Sequence, residues 1–176
     1  ARLRAITDSL TGLYNRRFLE ESLNSRLEGN GEVKRSIAVL MMDLDRIHEI
    51  NNAYGEAGGD QVIKAVAGGF RQVLRDADIA ARLAGDEFAF VLPDTTLEEA
   101  LQISERLRIS VSRLEIPIVV NVPEGRVMEQ QLSIKTCLGV AVSPQHGSTG
   151  PALLAAADAA LRKAKDQGRN RVIAAG

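Results

Sequence analysis

The residues best suited to chemistry are two adjacent carboxylates, Asp86 and Glu87, which follow a glycine between two apolar segments. Those segments have the composition of strands, so the acidic pair is predicted to lie at the tip of a hairpin. A second acidic site, Met42-Asp43-Leu44-Asp45, ends another strand-like segment, residues 36–42. Carboxylates at the ends of neighbouring strands can hold magnesium against a nucleotide triphosphate. The arrangement predicts an enzyme, or a protein that descends from one.

The chemistry that these residues could perform is metal-assisted phosphoryl transfer. Asp43 and Asp86 are the candidate metal ligands, and the main-chain carbonyl of Leu44 is a candidate third ligand. Glu87 could bind metal or help to deprotonate an attacking hydroxyl group, and the sequence leaves both catalytic roles open. Gly85 would let the backbone turn tightly and approach a substrate closely. Taken alone, the Gly-Asp pair is also typical of a solvated hairpin tip.

The composition is that of an ordinary globular protein, with 45% apolar and 26% charged residues among 176. A net charge of −1 gives no reason to expect a nucleic acid or an anionic membrane as partner. The single cysteine, Cys137, cannot form an internal disulfide and is predicted to be a small core residue, which fits a reducing compartment. No apolar segment is long enough to span a membrane, and no signal-peptide pattern is present. The chain begins at Ala1 without a methionine, so we interpret it as one domain of a longer protein.

The hydrophobic pattern predicts one domain, residues 1–176, in which helices and strands alternate around a mixed sheet. The predicted helices cover residues 15–27, 46–53, 58–74, from Thr95 or Thr96 to 111, and 151–165. The predicted strands cover residues 36–42, 79–83, 88–93, 116–122, 132–142 and 171–174. The polar residues 123–131 are predicted to connect two of these strands.

Four motifs carry a resemblance to a known family. They occupy residues 8–17, 43–60, 84–88 and 157–170, and the third of them has the sequence Ala-Gly-Asp-Glu-Phe. In this order and at these spacings they resemble the motifs of GGDEF domains, the diguanylate cyclases of bacterial signalling. The resemblance implies a nucleotidyl-cyclase-like α/β fold with a ferredoxin-like core, in which a mixed central sheet is flanked by helices. It also implies that two molecules of GTP condense into cyclic di-GMP between two facing monomers, with Mg²⁺ or Mn²⁺ as cofactor.

The resemblance implies contacts to GTP for five further residues. Asn51 and Asp60 match the positions that recognise guanine, and amide and carboxylate groups can bond to its ring edge. Lys165 and Arg169 match the positions that contact phosphates, and His48 stands where the family usually has a phosphate-binding lysine. From the residues alone, Asn51 could instead be a turn residue and Asp60 a charge at a helix N-terminus. The two cations could likewise interact with a helix C-terminus.

Arg75 and Asp78 form an Arg-x-x-Asp pattern at the family's offset before the third motif. The resemblance implies that this pair is the product-inhibition site, where cyclic di-GMP binds. An arginine fork and a carboxylate suit a guanine edge or a phosphate, although such pairs also occur by chance.

Three residues depart from the family pattern near the nucleotide. Ala84 replaces the first glycine of the third motif, where a methyl group restricts the backbone. His48, when neutral, supplies less charge than a lysine. Glu56 stands where histidine is usual and adds a negative charge. The departures remove no candidate metal ligand.

Two functions are compatible with this pattern. The first is a diguanylate cyclase that is active as a homodimer. The second is a weakly active or inactive domain that binds GTP or cyclic di-GMP and regulates a covalently linked sensor domain or a phosphodiesterase domain of the Glu-Ala-Leu (EAL) type. Neither function involves contact of this domain with nucleic acid or membrane. We expect the domain in the cytoplasm, whether or not its parent protein is anchored in a membrane.

Overall fold

The structure, a computed structural model, describes residues 5–29, 35–121, 125 and 127–176 of the chain. The strands are β1 (Ala38–Leu44), β2 (Ile79–Ala84), β3 (Glu87–Leu92), β4 (Ile116–Asn121), β5 (Val127–Leu132), β6 (Thr136–Val142) and β7 (Val172–Ala174). The α-helices whose bounds lie within these residues are α1 (Arg16–Glu28), α2 (Ile47–Gly68), α3 (Leu97–Ser112) and α4 (Gly150–Asp166), and a short 3₁₀ helix, Phe70–Gln72, follows α2. Within the described ranges, none of the helices combines the length and the apolar character that a bilayer crossing requires.

Five strands form the central sheet in the order β2-β3-β1-β6-β7. Strand β1 lies antiparallel to β3 and β6, whereas β7 lies parallel to β6, so the sheet is mixed as predicted. Every residue of β1 and of β6 is buried, because helices cover both faces of the sheet. This arrangement confirms the predicted fold class.

Each face of the sheet has its own apolar core. On one face α2 and α3 pack against Leu40, Phe88 and Phe90. Phe70 contacts the two other phenylalanines edge to face, with ring centroids 5.2 and 5.0 Å apart. On the opposite face α1 and α4 pack against Val39 and its neighbours. Because side chains alternate along a strand, β1 contributes to both cores.

Side-chain caps fix where the helices begin. Asn15 Oδ1 accepts a hydrogen bond from the backbone three residues further on, at 2.9 Å, ahead of α1. Thr96 Oγ1 accepts from Glu99 N at 3.2 Å, and the Glu99 carboxylate accepts from Thr96 N at 3.1 Å. This reciprocal capping box makes Thr96, rather than Thr95, the cap of α3. Thr149 caps α4 in the same way as Asn15 caps α1.

The sequence prediction was wrong for the connection at residues 123–131. Val127–Leu132 is a strand, β5, which pairs antiparallel with β4 in a separate two-stranded sheet. The predicted strand at residues 132–142 therefore contains the end of β5 and all of β6. The pattern hid this strand because three consecutive polar residues, 129–131, are exposed. Val122, the predicted end of the preceding strand, lies outside the described residues, as does part of the connection.

The prediction of two helices in this part of the chain is confirmed, because α2 consists of two helical segments that meet at a kink. Gly55 forms the kink with a φ of 75° and a ψ of 172°, values outside the helical region. Glycine adopts this left-handed φ at little steric cost, which explains why the chain can bend there. The kink lies between the segment with Asn51 and the segment with Asp60.

Candidate active site

The third motif forms the turn between β2 and β3. Ala84 pairs with Glu87 across the hairpin, and Gly85 between them has a φ of 42°, which favours glycine. Arg82 Nε donates a hydrogen bond to the Gly85 carbonyl oxygen at 2.9 Å. Ala84 is exposed and is not among the residues with positive φ. The alanine in the first glycine position therefore introduces no backbone strain.

Three acidic residues, Asp43, Asp86 and Glu87, lie where β1 ends and β3 begins. Asp43 is the register partner of Glu87, and Leu44 N donates to the main-chain oxygen of Asp86 at 3.3 Å. Asp43 Oδ2 contacts Lys165 Nζ, whereas the buried Oδ1 has no hydrogen-bond partner in the described structure. A cavity of about 450 Å³ opens beside them, between α1, α4 and the sheet. The fold thus brings the predicted metal ligands together at one end of neighbouring strands.

Negative charge accumulates at this end of the strands. Burial raises the pKa of Asp86, and the charge of Asp43 raises it further. Burial likewise raises the pKa of Glu87, with additional contributions from both aspartates. Burial alone would lower the pKa of Lys165, but its hydrogen bond to Asp43 and the nearby negative charge outweigh burial and raise that pKa. The ionised forms of Asp86 and Glu87 are therefore disfavoured, and a bound cation would relieve this cost.

The donor set fits a hard divalent cation. Asp43 Oδ1 is a buried, unpaired acceptor in the described structure, and carboxylate oxygens are preferred ligands of Mg²⁺. Among the described residues, no three His, Cys, Asp or Glu side chains converge into a complete metal site. Mg²⁺ usually binds one or two carboxylates and completes its shell with water and substrate phosphates. Metal binding by Asp43, Leu44 and Asp86 stays a prediction.

The raised pKa of Asp86 predicts how a substitution changes stability. We expect Asp86→Asn to raise the unfolding temperature at pH 7 in the presence of a chelator. Because the folded-state pKa lies above the usual 3.8, ionisation of Asp86 makes stability fall as pH rises through the interval between the two values. Asparagine does not ionise and so avoids this loss of stability. The difference in unfolding temperature between the variant and the unsubstituted chain should therefore disappear well below pH 3.8, which calorimetric scans over a pH series can check. Asp76→Asn, at an exposed position, is the control, and a difference that persists at low pH would point to altered packing instead.

The two predicted guanine contacts lie on either side of the kink in α2. A Cβ atom at Gly59 would lie 1.8 Å from Asn51 Oδ1, so the glycine makes room for the asparagine side chain. Asn51 therefore packs against Gly59, the residue before Asp60. The side chain of Asp60 is exposed. The fold places the Asn51 side chain against the residue next to Asp60, and the role of both residues in guanine recognition stays a prediction.

This packing predicts the effect of Gly59→Ala. The new methyl group must displace the Asn51 carboxamide, which is the far end of a flexible side chain, so the unfolding midpoint should change little. GTP affinity should fall about tenfold, the value of one lost hydrogen bond. Titration calorimetry with GTP checks this, and Gly68→Ala in the same helix is the control because a Cβ there meets open space. Unchanged affinity for GTP would remove Asn51 from the binding site.

The predicted phosphate contacts lie at the end of α4 and the start of α2. Lys165 occupies the last turn of α4, and Arg169 lies in the turn that follows. Arg169 Nη1 is 3.9 Å from Oδ1 of Asp45, a residue of the second acidic site that was not among the candidate metal ligands. His48 is exposed in the first turn of α2, and its charge lowers the pKa of the neighbouring Asp86, in opposition to burial. All three predicted phosphate contacts stay predictions.

The predicted product-inhibition residues are bonded to each other. Arg75 Nη2 is 2.8 Å from Asp78 Oδ1, and Arg75 N donates to Asp78 Oδ2 at 2.8 Å. The same guanidinium donates to Pro93 O at 3.1 Å and to Thr95 Oγ1 at 2.7 Å. The Asp78 side chain has no exposed surface, whereas 45% of the Arg75 side chain is exposed. The structure brings Arg75 and Asp78 together as an ion pair whose polar groups are bonded within the protein, and the role of this pair in product binding stays a prediction.

Sequence reasoning missed a link between the first and third motifs. Arg82 Nη1 donates to the two carboxylate oxygens of Asp8 at 3.2 and 3.3 Å, while its Nε holds Gly85. Burial alone would raise the pKa of Asp8, but hydrogen bonds from Thr11 and the charge of Arg82 outweigh burial and lower it. The sequence offered one indication of this link, because Asp8 is the first residue of the first motif and Arg82 lies just before the third motif.

Comparison with known proteins places these motifs in one family. The family model described as "Diguanylate cyclase, GGDEF domain" matches residues 5–171. The chain is 39% identical over 163 residues to diguanylate cyclase TpbB of Pseudomonas aeruginosa and 36% identical over 169 residues to response regulator PleD of Caulobacter vibrioides. These alignments cover 92% and 96% of this chain but only 35% and 36% of those proteins. Cyclic di-GMP phosphodiesterase NbdA of Pseudomonas aeruginosa is 38% identical over 168 residues, which are 93% of this chain and 20% of that protein.

Solved structures have the same fold. The GGDEF domain of TpbB matches with a TM-score of 0.84 at 37% identity, covering 97% of this chain and 94% of that one. The GGDEF domain of DgcB from Caulobacter crescentus, in complex with c-di-GMP, matches with a TM-score of 0.84 at 30% identity, covering 97% and 96%. Diguanylate cyclase SiaD of Pseudomonas aeruginosa, in complex with its activator SiaC, matches with a TM-score of 0.87 at 34% identity, covering 99% and 63%. On these motifs, this geometry and these similarities, the chain belongs to the GGDEF family of diguanylate cyclase domains.

Proposed function

We propose that this domain condenses two molecules of GTP into cyclic di-GMP and releases two pyrophosphates. The observation that carries the proposal is the cluster of Asp43, Asp86 and Glu87 at the ends of β1 and β3, in which one buried oxygen of Asp43 lacks a partner in the described structure. Similarity to diguanylate cyclase TpbB over most of the chain supports it.

Asp43, Asp86 and the Leu44 carbonyl would hold Mg²⁺ or Mn²⁺. When bound, such an ion neutralises triphosphate charge and makes the attacking 3′-hydroxyl group more acidic. Glu87 accepts the proton of that hydroxyl group or completes the metal site. Its raised pKa makes the ionised carboxylate a stronger base than an ordinary glutamate. Lys165, which contacts Asp43 at the same edge, supplies an ammonium group for the phosphate oxygens.

The remaining residues would bind and orient the nucleotide. Asn51 and Asp60 bond to the guanine edge, and Arg169 and His48 contact phosphates. Gly85 lets the turn approach the substrate closely. One such site holds one GTP while the reaction joins two, so we propose a homodimer with facing sites as the active form.

The test is incubation of concentrated protein, which favours dimers, with GTP and Mg²⁺, followed by chromatographic separation of cyclic di-GMP. The unsubstituted chain should form product, and Asp86→Asn should form none. Asp166→Asn, whose exposed carboxylate ends α4, should retain activity. Absence of product from the unsubstituted chain at high concentration would contradict the proposed activity.

A second candidate function is regulation by a weakly active or inactive domain. It would bind GTP, or cyclic di-GMP at Arg75 and Asp78, and control a covalently linked sensor or EAL-type phosphodiesterase domain. The exposed His48 and Glu56 favour it, because they supply less positive charge than the residues usual in the family. Similarity to phosphodiesterase NbdA also favours it. Calorimetry separates the two functions: bound GTP without product formation supports regulation, whereas binding of neither nucleotide excludes it.

The proposed substrate and product also predict where the domain is located and which molecule inhibits it. We place the domain in the cytoplasm, since GTP is its proposed substrate. Cyclic di-GMP is the proposed inhibitor, and the relative DgcB was solved in complex with this nucleotide. Bound product would have to break or rearrange the ion pair between Arg75 and Asp78.

A further inference from the structure

The turn that follows α4 has an unusual backbone. Gly168, Arg169 and Asn170 have φ values of 114°, 66° and 47° in succession. Two of these residues are not glycine, and L-residues rarely adopt such values unless the surrounding structure imposes them. The turn contains Arg169, the candidate phosphate contact, so whatever holds the turn also determines where this guanidinium lies.

Two charged side chains from distant elements hold Asn170. Asp45 Oδ2 accepts from Asn170 N at 2.9 Å, and Arg108 Nη1 donates to Asn170 Oδ1 at 2.8 Å. Asp45 Oδ1 in turn accepts from Cys137 Sγ at 2.8 Å, and only 6% of the Asp45 side chain is exposed. Both oxygens of Asp45 are therefore occupied inside the fold. Because both oxygens accept hydrogen bonds from the protein, Asp45 is unsuited to metal binding, although it follows Asp43 closely in the sequence.

The main chain of Arg169 is fixed as well. Its N–H donates to Ala164 O at 2.9 Å, and its carbonyl oxygen accepts from Arg171 Nε at 3.0 Å. The Arg169 side chain, by contrast, is 38% exposed and lies 3.9 Å from Asp45 Oδ1. A rigid backbone thus presents a guanidinium group that remains accessible to a ligand.

We propose that Asp45 and Arg108 are positioning residues for Arg169. They hold the turn of residues 168–170 in its left-handed conformation and so place the Arg169 guanidinium for the phosphates of GTP. The inference rests on the proposed function, which assigns phosphate contact to Arg169. Neither positioning residue touches the nucleotide. Without them the turn relaxes, the fraction of molecules with Arg169 in place falls, and the apparent affinity for GTP falls in proportion.

The test is a double-mutant cycle on nucleotide affinity, measured by calorimetry with a non-hydrolysable GTP analogue and Mg²⁺. Arg108→Met keeps the aliphatic stem of the side chain and removes its donors, and we expect about tenfold weaker binding. Arg169→Met should weaken binding at least as much, and adding Arg108→Met to Arg169→Met should weaken it no further. Arg106→Met, at an exposed position of the same helix, is the control and should bind like the unsubstituted chain.

Asp45→Asn is the second variant, which keeps the test available if Arg108→Met fails to fold. It retains an acceptor for Asn170 N but loses the charge, and its effect should likewise vanish in the Arg169→Met background. Additive losses in the double variants would overturn the inference, since a general loss of structure acts independently of Arg169. Unchanged affinity of both single variants would overturn it too. Failure of the unsubstituted chain to bind the analogue would instead contradict the proposed function, and the inference with it.

Discussion

Replacing Asp43 with asparagine is expected to lower the rate of cyclic di-GMP formation by on the order of a thousandfold. Asp43 provides the buried oxygen without a partner in the described structure, contacts Lys165, and raises the pKa of both Asp86 and Glu87. An amide offers a cation one oxygen and no charge, and it leaves Lys165 without its anionic partner. The measurement is the rate of product formation at saturating GTP over a series of Mg²⁺ concentrations.

Two controls separate loss of metal binding from loss of structure. Asp166→Asn removes an exposed carboxylate at the end of α4 and should keep the full rate. If the defect of Asp43→Asn is weaker metal binding, high Mg²⁺ should restore part of its activity. A rate close to that of the unsubstituted chain at every Mg²⁺ concentration would show that the cation does not depend on Asp43.

Replacing Gly139 with alanine is expected to destabilise the domain by about 3 kcal/mol. A Cβ atom at this position in β6 would lie 2.0 Å from Ala157 O and 2.4 Å from Leu161 N. Both are main-chain atoms of α4, so no side-chain rotation can relieve the contact and the helix must move away from the sheet. The change in the free energy of unfolding follows from urea denaturation.

Gly68→Ala is the matched control for this substitution. Gly68 is exposed near the end of α2, and a Cβ there meets nothing within 4 Å. Alanine should therefore stabilise the domain by about 0.5–1 kcal/mol through a less flexible unfolded chain. Because α4 also contains Lys165, Gly139→Ala should weaken GTP binding as well. Equal stability of Gly139→Ala and the unsubstituted chain would contradict the direct packing of α4 on β6.

Strands β1 and β3 could be predicted because local sequence determines them. Each is an apolar run next to an acidic residue, as expected for strands that helices cover on both faces. The helix start at Asn15 was equally visible, since its side chain bonds to the backbone three residues away. The acidic cluster followed from the strands, because Asp43 and Glu87 lie at ends that an antiparallel pair must bring together.

The features that sequence reasoning missed depend on contacts between distant residues. Asp45 looks like a second member of a metal pair, yet its partners Cys137 and Asn170 lie 92 and 125 positions away. The strand β5 has a polar sequence and is specified by pairing with β4 rather than by its own pattern. The sequence does not indicate that Arg108 contacts Asn170, because an arginine on an amphipathic helix is ordinarily a surface charge.

The placement of β4 and β5 outside the central sheet makes local stability uneven across the site. Val119 and Val127 in this ribbon are 55% and 64% exposed, and Gln61 of α2 bonds to both the N–H and the carbonyl oxygen of Val119, at 3.1 and 3.5 Å. Amide protons of β5 should therefore exchange with solvent through local opening, whereas those of β1 should exchange only when the whole domain unfolds. Gln61 directly follows Asp60 in the sequence. The end of the candidate site that contains the two predicted guanine contacts is consequently expected to open locally, whereas the end that contains Asp43 is expected to stay closed until the domain unfolds.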